Sequence, residues 1–127
     1  MKAYGTTILQ VKPAPKEAIN LLEKALKQNG VTIYTRIDQQ DEACKAGIKT
    51  LPIEYLLFGN PAKGGVVMQL SPIAALDLPL KVVAFQDEKQ NNFIIFNKAS
   101  FLAERYSLNS AAAAQLNIAP LLSKLFS

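Results

Sequence analysis

The segment from Val31 to Ile37 constrains the fold most, because its side chains alternate. Val31, Ile33, Thr35 and Ile37 alternate with Thr32, Tyr34 and Arg36. A period of two places successive side chains on opposite faces, which predicts a β-strand with one buried face. An amphipathic helix and an earlier strand, residues 4–11, precede it. Strand, helix and strand within the first 37 residues predict a compact opening unit.

The predicted helix covers residues 15–28. Pro15 suits its first position, where a missing N–H costs nothing, and Gly30 is free to end it with a positive φ. One stripe at helical spacing carries the apolar side chains, namely Ala18, Ile19, Leu22, Ala25 and Leu26. This stripe predicts that one side of the helix packs on the sheet.

The remaining pattern predicts short helices between further strands. A short helix at 41–46 precedes a strand at 51–58 in which Glu54 is the one charge, and weak helical character follows at 62–70. Strands at 79–86 and 92–97 read as an antiparallel hairpin, followed by helices. The order β-α-β-(α)-β-(α)-β-β-α predicts an α+β fold, a single domain over 1–127, with a mostly antiparallel sheet and helices on one face.

The composition excludes several kinds of chemistry. The 127 residues contain no histidine and one cysteine, so a Ser-His-Asp triad, an imidazole metal site and an internal disulfide are excluded. We expect no cofactor and no metal. The net charge of +4 is dispersed, so nucleic-acid binding is not expected.

The location is predicted from hydropathy. No apolar run approaches the length of a membrane helix, and the N-terminus has no apolar signal-peptide core. The lone Cys44 fits a reducing compartment, and we read it as a structural or surface thiol. These features predict a cytoplasmic protein without membrane contact.

The glycine-containing loop at 59–65, GNPAKGG, stands where a phosphate loop would stand, after a strand and before a helix. Its lysine precedes the paired glycines, whereas a Walker A loop has Lys-Ser or Lys-Thr after its second glycine. We therefore favour a turn at Asn60-Pro61 followed by a glycine-rich helix start, with an anion or small ligand at the helix N-terminus as the alternative.

Acidic residues supply the other candidates. Glu54 lies within an apolar strand and Asp77 precedes another, and Lys81, the only charge in LPLKVVAF, is the expected partner. A structural ion pair is favoured over acid–base catalysis. Asp38 is expected to cap a turn or a short helix. Together with Asp41, Glu42 and Glu54 it gives only a weak signal for a hard cation, without an EF-hand pattern.

Several segments between residues 37 and 108 resemble a known family. They are Ile37-Asp38, Ala46-Gly47, Leu57-Phe58-Gly59-Asn60-Pro61, Met68-Gln69, the run from Ala74 to Lys81, and Leu102-Ala103-Glu104-Arg105-Tyr106. The chain resembles the bacterial domain-of-unknown-function family 302, and the FGNP and ALDLPLK segments are the most specific.

The resemblance implies a fold like that of the TATA-binding protein, with a curved antiparallel sheet, and it implies homodimers. It implies no established activity, cofactor or substrate. The matched polar positions are Asp38, Asn60, Asp77 and Lys81. Where the family commonly has a histidine after the aspartate, this chain has Gln39, and an amide cannot titrate or act as a general base.

These expectations favour a non-enzymatic homodimeric domain that binds a small ligand or a protein partner. The candidate polar site comprises Asp38, Gln39, Glu54, Asn60, Asp77 and Lys81. The alternative is an enzyme that uses carboxylate and lysine acid–base chemistry in a pocket near Glu54, Asp77 and Lys81.

Overall fold

The computed structural model describes residues 1–127. The strands are β1 Thr6–Val11, β2 Thr32–Asp38, β3 Ile53–Gly59, β4 Leu80–Gln86 and β5 Asn92–Asn97. The helices are α1 Pro15–Gln28, α2 Gln39–Lys45, α3 Pro61–Leu70, α4 Ala99–Tyr106, α5 Ser110–Ala114 and α6 Ala119–Leu125, with a 3₁₀ helix at Pro72–Asp77. The α+β class is confirmed.

The five strands form one sheet in the order β1-β5-β4-β3-β2, and every neighbouring pair is antiparallel. The predicted hairpin is therefore confirmed as β4 and β5. The predicted order of strand, helix and strand at the start of the chain is present, but β1 and β2 lie at opposite edges of the sheet and do not form a compact unit by themselves. Helix α1 connects them, and it contacts β2, β3 and β4.

One face of the sheet carries the main core. In β3 the side chains alternate in burial, with Glu54, Leu56 and Phe58 buried and the residues between them only half-buried. The apolar stripe of α1 packs against this face, with Ile19 and Leu22 fully buried, and α6 adds Leu122. Pro15 begins α1 as predicted.

A second apolar cluster lies beside this core and joins α3, the 3₁₀ helix, α4 and α5. Its buried members are Val67, Ala74, Leu102, Tyr106, Ala112 and Leu116. Leu80, at the start of β4, packs against both clusters. The helices after β3 and β5 are thus anchored to the sheet through the segment that opens β4.

The opposite face of the sheet has no buried side chain. We call it the open face, and the strand register assigns to it Ile8, Ile37, Ile53, Tyr55, Leu57, Val83, Phe85, Phe93 and Ile95 among its apolar residues. Phe85 and Phe93 stack with ring centroids 5.4 Å apart. Lys81 is its only charged residue. Such a continuous apolar surface is unusual for a sheet face left to water.

No helix of this protein combines the length and the apolar character that crossing a bilayer requires.

Candidate functional site

The glycine-containing loop forms the start of α3. The Asn60 side-chain oxygen accepts hydrogen bonds from the backbone N–H groups of Ala62 and Lys63, at 3.0 and 3.2 Å. Pro61 has no N–H, and the Gly64 N–H donates to the Asn60 carbonyl at 2.8 Å. Because the donors of the first turn are used within the chain, this loop offers no phosphate cradle. The predicted helix start is present, and Asn60 is its N-cap.

Glu54 lies at the centre of an ion cluster on the covered face. It is 3% exposed, and its two carboxylate oxygens accept from Lys16 Nζ at 3.0 Å and from Arg36 Nε. Lys16 Nζ also donates to Asp38 Oδ2 at 3.0 Å. Two cations therefore balance this buried carboxylate, as burial of a charge requires.

The pKa values of Asp38 and Lys16 in this cluster shift in the directions expected for ion-paired groups. The backbone N–H of Asp41 and then the Lys16 ammonium hold the pKa of Asp38 below its usual value. Hydrogen bonds to Asp38 and Glu54 raise the pKa of Lys16. Asp38 also caps α2 as expected, accepting from the Asp41 N–H at 2.9 Å. Gln39 is the first residue of that helix.

The acids considered for a hard cation have lysine partners. Lys45 Nζ lies 3.1 Å from Asp41 Oδ2 and 3.9 Å from Glu42 Oε1, and Lys16 binds the other two acids. No group of three Cys, Asp or Glu side chains converges in a way that could hold a metal ion.

Asp77 lies at the end of the 3₁₀ helix and contacts α4. Its Oδ2 accepts from Arg105 Nη1 at 3.0 Å and from the Tyr106 hydroxyl, whereas Oδ1 has no donor. Burial, followed by the hydrogen bond to Asp77, raises the pKa of the Tyr106 hydroxyl. Both donors thus bind Oδ2 of Asp77, and Oδ1 makes no hydrogen bond within the chain.

Lys81 was the expected partner of Glu54 or Asp77, and the structure pairs it with neither. Its ammonium nitrogen lies 4.4 Å from the centroid of the Tyr55 ring, in a cation–π contact. No acidic oxygen lies within ion-pair distance of it. Lys81 therefore presents an uncompensated positive charge.

A cavity of about 310 Å³, which we call the Asp77 cavity, lies where β4 and β5 separate. The pairing of these strands runs only from Val83–Ile95 to Gln86–Asn92, so the start of β4 has no partner in β5. The lining combines three polar residues with apolar ones; it comprises Leu57, Leu76, Asp77, Leu78, Pro79, Leu80, Lys81, Asn97 and Ile118.

A smaller cavity of about 150 Å³, the Asn60 cavity, lies on the other side of the same segment. Tyr34, Asn60, Met68 and Leu116 are among the residues that line it. The two cavities share Leu78, Pro79 and Leu80. The FGNP and ALDLPLK segments, far apart in sequence, therefore meet around one short stretch of chain.

The structure divides the predicted site residues into separate places. Asp77 and Lys81 line the Asp77 cavity, Asn60 lines the smaller one, and Glu54 with Asp38 belongs to the ion cluster on the covered face. Glu54 and Lys81 point to opposite faces of the sheet, since Glu54 pairs with Ala84 and Lys81 with Leu57.

Sequence reasoning missed three residues that shape the Asp77 cavity. Arg105 and Tyr106 belong to a segment that contributed to the family resemblance, and their role at Asp77 follows only from the packing of α4. Asn97 ends β5, and its side chain makes no hydrogen bond within the chain. No sequence pattern marks it.

Proteins of Brucella are similar in sequence to most of this chain. The chain is 32% identical over 104 residues to the fluoride-specific ion channel FluC 1 of Brucella suis biovar 1 (strain 1330), covering 82% of this chain and 41% of the relative. It matches FluC 2 of Brucella melitensis biotype 1 equally, covering 38% of that protein. The chain thus spans about two fifths of the length of these relatives.

A solved structure has the same fold. The crystal structure of the uncharacterized conserved protein DUF302 from Bacillus stearothermophilus superposes with a TM-score of 0.79 at 21% identity, covering 98% of this chain and 97% of that one. A family model described as "Domain of unknown function DUF302" matches residues 8–125. Because this match covers nearly the whole chain, the protein belongs to the DUF302 family.

Proposed function

We propose that this protein is a non-enzymatic domain that binds a small molecule in the Asp77 cavity. One observation carries the proposal: three polar groups that make no hydrogen bond or ion pair within the chain line a cavity that is otherwise apolar. They are Asp77 Oδ1, the Lys81 ammonium and the Asn97 side-chain amide. Convergence of a few polar groups on an apolar cleft is the usual composition of a ligand site.

The size of the cavity suits a small ligand. At about 310 Å³ it is at the lower end of the range for small-molecule sites, roughly 300–1,000 Å³. Leu57, Leu78 and Ile118 supply apolar contact for the body of a ligand. Arg105 and Tyr106 fix the Asp77 carboxylate, which reduces the ordering cost of binding.

Acid–base catalysis remains the alternative. It would rest on Asp77 and Lys81 alone, because Glu54 lies on the covered face between Arg36 and Lys16. Oδ2 of Asp77 is also engaged by Arg105 and by the Tyr106 hydroxyl, which leaves only Oδ1 for contact with a substrate. The geometry therefore supports binding better than catalysis.

A fragment screen by NMR tests the proposed binding. With methyl groups labelled, we expect fragment hits to shift the signals of Leu57, Leu78 and Ile118. We expect the Asn97→Leu variant to bind these hits more weakly. Asn20→Leu, on the exposed side of α1, is the matched control and should bind as the wild type does. A screen without shifts at these methyls, or hits that bind Asn97→Leu as tightly, would contradict the proposal.

We further propose that two copies associate through the open face. Phe85, Phe93 and Val83 give this face an apolar centre, and Leu76, 73% exposed, lies beside it. A second copy is the fitting occupant because the same apolar surface is complementary to itself, with Lys81 the only charge. Two sheets stacked face to face, about 10 Å apart, would bury both surfaces as in a β-sandwich.

Light scattering after size exclusion measures this association. We expect twice the chain mass for the wild type and a single chain mass for Phe85→Lys, with an unchanged circular dichroism spectrum. Leu21→Lys changes an exposed leucine of α1 and should remain dimeric. A wild type that is still monomeric at about 100 μM would refute the proposed interface. A dimeric Phe85→Lys variant would refute it as well.

We propose a bacterial cytoplasmic location. The single cysteine, Cys44, is an exposed free thiol, which suits a reducing compartment. The relatives named above come from Brucella and Bacillus. Fractionation of cells that produce a tagged chain tests this location, and recovery with the periplasmic or membrane fraction would contradict it.

A further inference from the structure

We propose that the ligand of the Asp77 cavity is a small organic anion, a carboxylate with a short branched apolar body. This inference rests on the proposed function and names the chemical class of the ligand. It follows from the balance of charge around the cavity, the donor or acceptor character of its free hydrogen-bonding groups and the nature of the remaining lining.

The charge balance at the cavity is positive. Arg105 Nη1, 3.0 Å from Asp77 Oδ2, offsets the one negative charge of the lining. Lys81 has no acidic partner, and its only charge-related contact is with the face of the Tyr55 ring. Lys81 is exposed, and an anion that reaches it would form an ion pair that no group of the chain supplies.

The free hydrogen-bonding groups favour an acceptor on the ligand. Lys81 and the Asn97 amide nitrogen are donors, and a carboxylate has two oxygens to accept from them. Asp77 Oδ1 is the one free carboxylate oxygen in the lining, and it would accept from a hydroxyl or amide N–H on the same ligand. An amine would meet the repulsion of Lys81 and an Asp77 already paired.

The apolar part of the lining defines the rest of the ligand. Leu57, Leu76, Leu78 and Ile118 surround the polar groups with branched aliphatic side chains. A short branched hydrocarbon chain buries apolar area against them, at about 25 cal/mol per Å² removed from water. A bare inorganic anion would leave this surface without a partner.

Three probes of similar shape test the chemical class of the ligand separately from the question of whether the cavity binds small molecules. They are isovalerate, isovaleramide and isopentylamine, each titrated at neutral pH while the methyl signals of Leu57 and Ile118 are followed. We expect isovalerate to bind at least about 10-fold more tightly than the amide, and its affinity to fall as sodium chloride is raised.

Matched lysine variants complete the experiment. Lys81→Met keeps the aliphatic stem and removes the charge. It should lower the affinity for isovalerate by about 10-fold and leave the affinity for isovaleramide unchanged. Lys63→Met, which lines the Asn60 cavity, should bind isovalerate as the wild type does. Circular dichroism confirms that each variant is folded.

The outcomes distinguish the two proposals. If the amide or the amine shifts the same methyls as strongly as isovalerate, the ligand class is wrong and the cavity still binds small molecules. An unchanged isovalerate affinity in Lys81→Met also overturns the class. If none of the three probes shifts these methyls, the anion proposal fails, and the fragment screen decides whether the binding function fails with it.

Discussion

Removal of Arg36 is the perturbation whose effect the structure defines best. Arg36→Met keeps the apolar stem of the side chain and removes the guanidinium that donates to Glu54. The Glu54 side chain is 4% exposed, so its carboxylate then remains inside the protein with Lys16 as its only cation. We expect a large loss of stability from a substitution at a residue that is itself a quarter exposed.

The magnitude follows from the partners that remain. Breaking a buried ion pair by removing one partner costs about 3–5 kcal/mol. Lys16 still binds Glu54 at 3.0 Å, and water can enter where the Arg36 side chain stood, so the lower end of about 3 kcal/mol applies. For a chain of this size, that loss lowers the melting temperature by about 10 °C.

Urea unfolding followed by circular dichroism measures this loss, and a second variant tests its cause. In Arg36→Met/Glu54→Met both charges are replaced by apolar side chains, so the double variant should be more stable than Arg36→Met alone. Lys45→Met, which breaks exposed pairs with Asp41 and Glu42, should unfold as the wild type does. A loss of unfolding free energy below about 1 kcal/mol in Arg36→Met would refute the reasoning. So would a double variant whose loss equals the losses of Arg36→Met and Glu54→Met added together.

Three further predictions concern the core, a backbone turn and pH. Leu122→Ala should lower the unfolding free energy by about 3 kcal/mol, because Leu122 is fully buried; chemical denaturation tests it. Gly5 and Gly30 both have positive φ, but a Cβ added at Gly5 would lie 2.3 Å from the Phe101 ring, whereas one added at Gly30 would meet nothing within 4 Å. Gly5→Ala should therefore lower the melting temperature more than Gly30→Ala does. The folded-state pKa of Asp38 lies below its usual value, so its carboxylate stabilises the fold above about pH 4, and this contribution is lost as the pH falls. The stability gap between wild type and Asp38→Asn, measured by urea titration, should close below that pH.

Local patterns were sufficient to predict most of the elements. The stripe of α1 and Pro15 located that helix, and the apolar run around Glu54 located β3. These features depend on residues close together in sequence, where helical and strand periods act directly on the side chains. The 3₁₀ helix at Pro72–Asp77 was missed, because six residues carry too little periodicity to reveal it.

The partners of the charged residues depended on strand register, which the sequence did not reveal. Lys81 lies in a strand that pairs with the strand of Glu54, yet Lys81 is opposite Leu57 and Glu54 is opposite Ala84. Because side chains alternate, a shift of one residue exchanges the two faces. Whether Lys81 meets Glu54 is therefore decided by the register, not by the distance between the two residues along the chain.

Arg36 shows the same dependence. An irregularity in the pairing of β2 with β3, between Ile33 and Thr35, sets which side chains of β2 reach the covered face. It brings Arg36 to Glu54 and leaves Tyr34 beside the Asn60 cavity. The strict alternation read from the sequence contains no sign of this extra residue.

The position of β1 has a consequence for how the chain reaches its final structure. β1 pairs only with β5, and its register joins Thr6 to Asn97 and Val11 to Asn92. During synthesis on the ribosome, this strand has no partner until the chain has been made as far as Asn97. Closing so long a loop costs entropy before any ladder forms, so β1 should dock late in folding, after β2, β3 and β4 have paired. The edge of the sheet that is made first is thus the edge that is completed last.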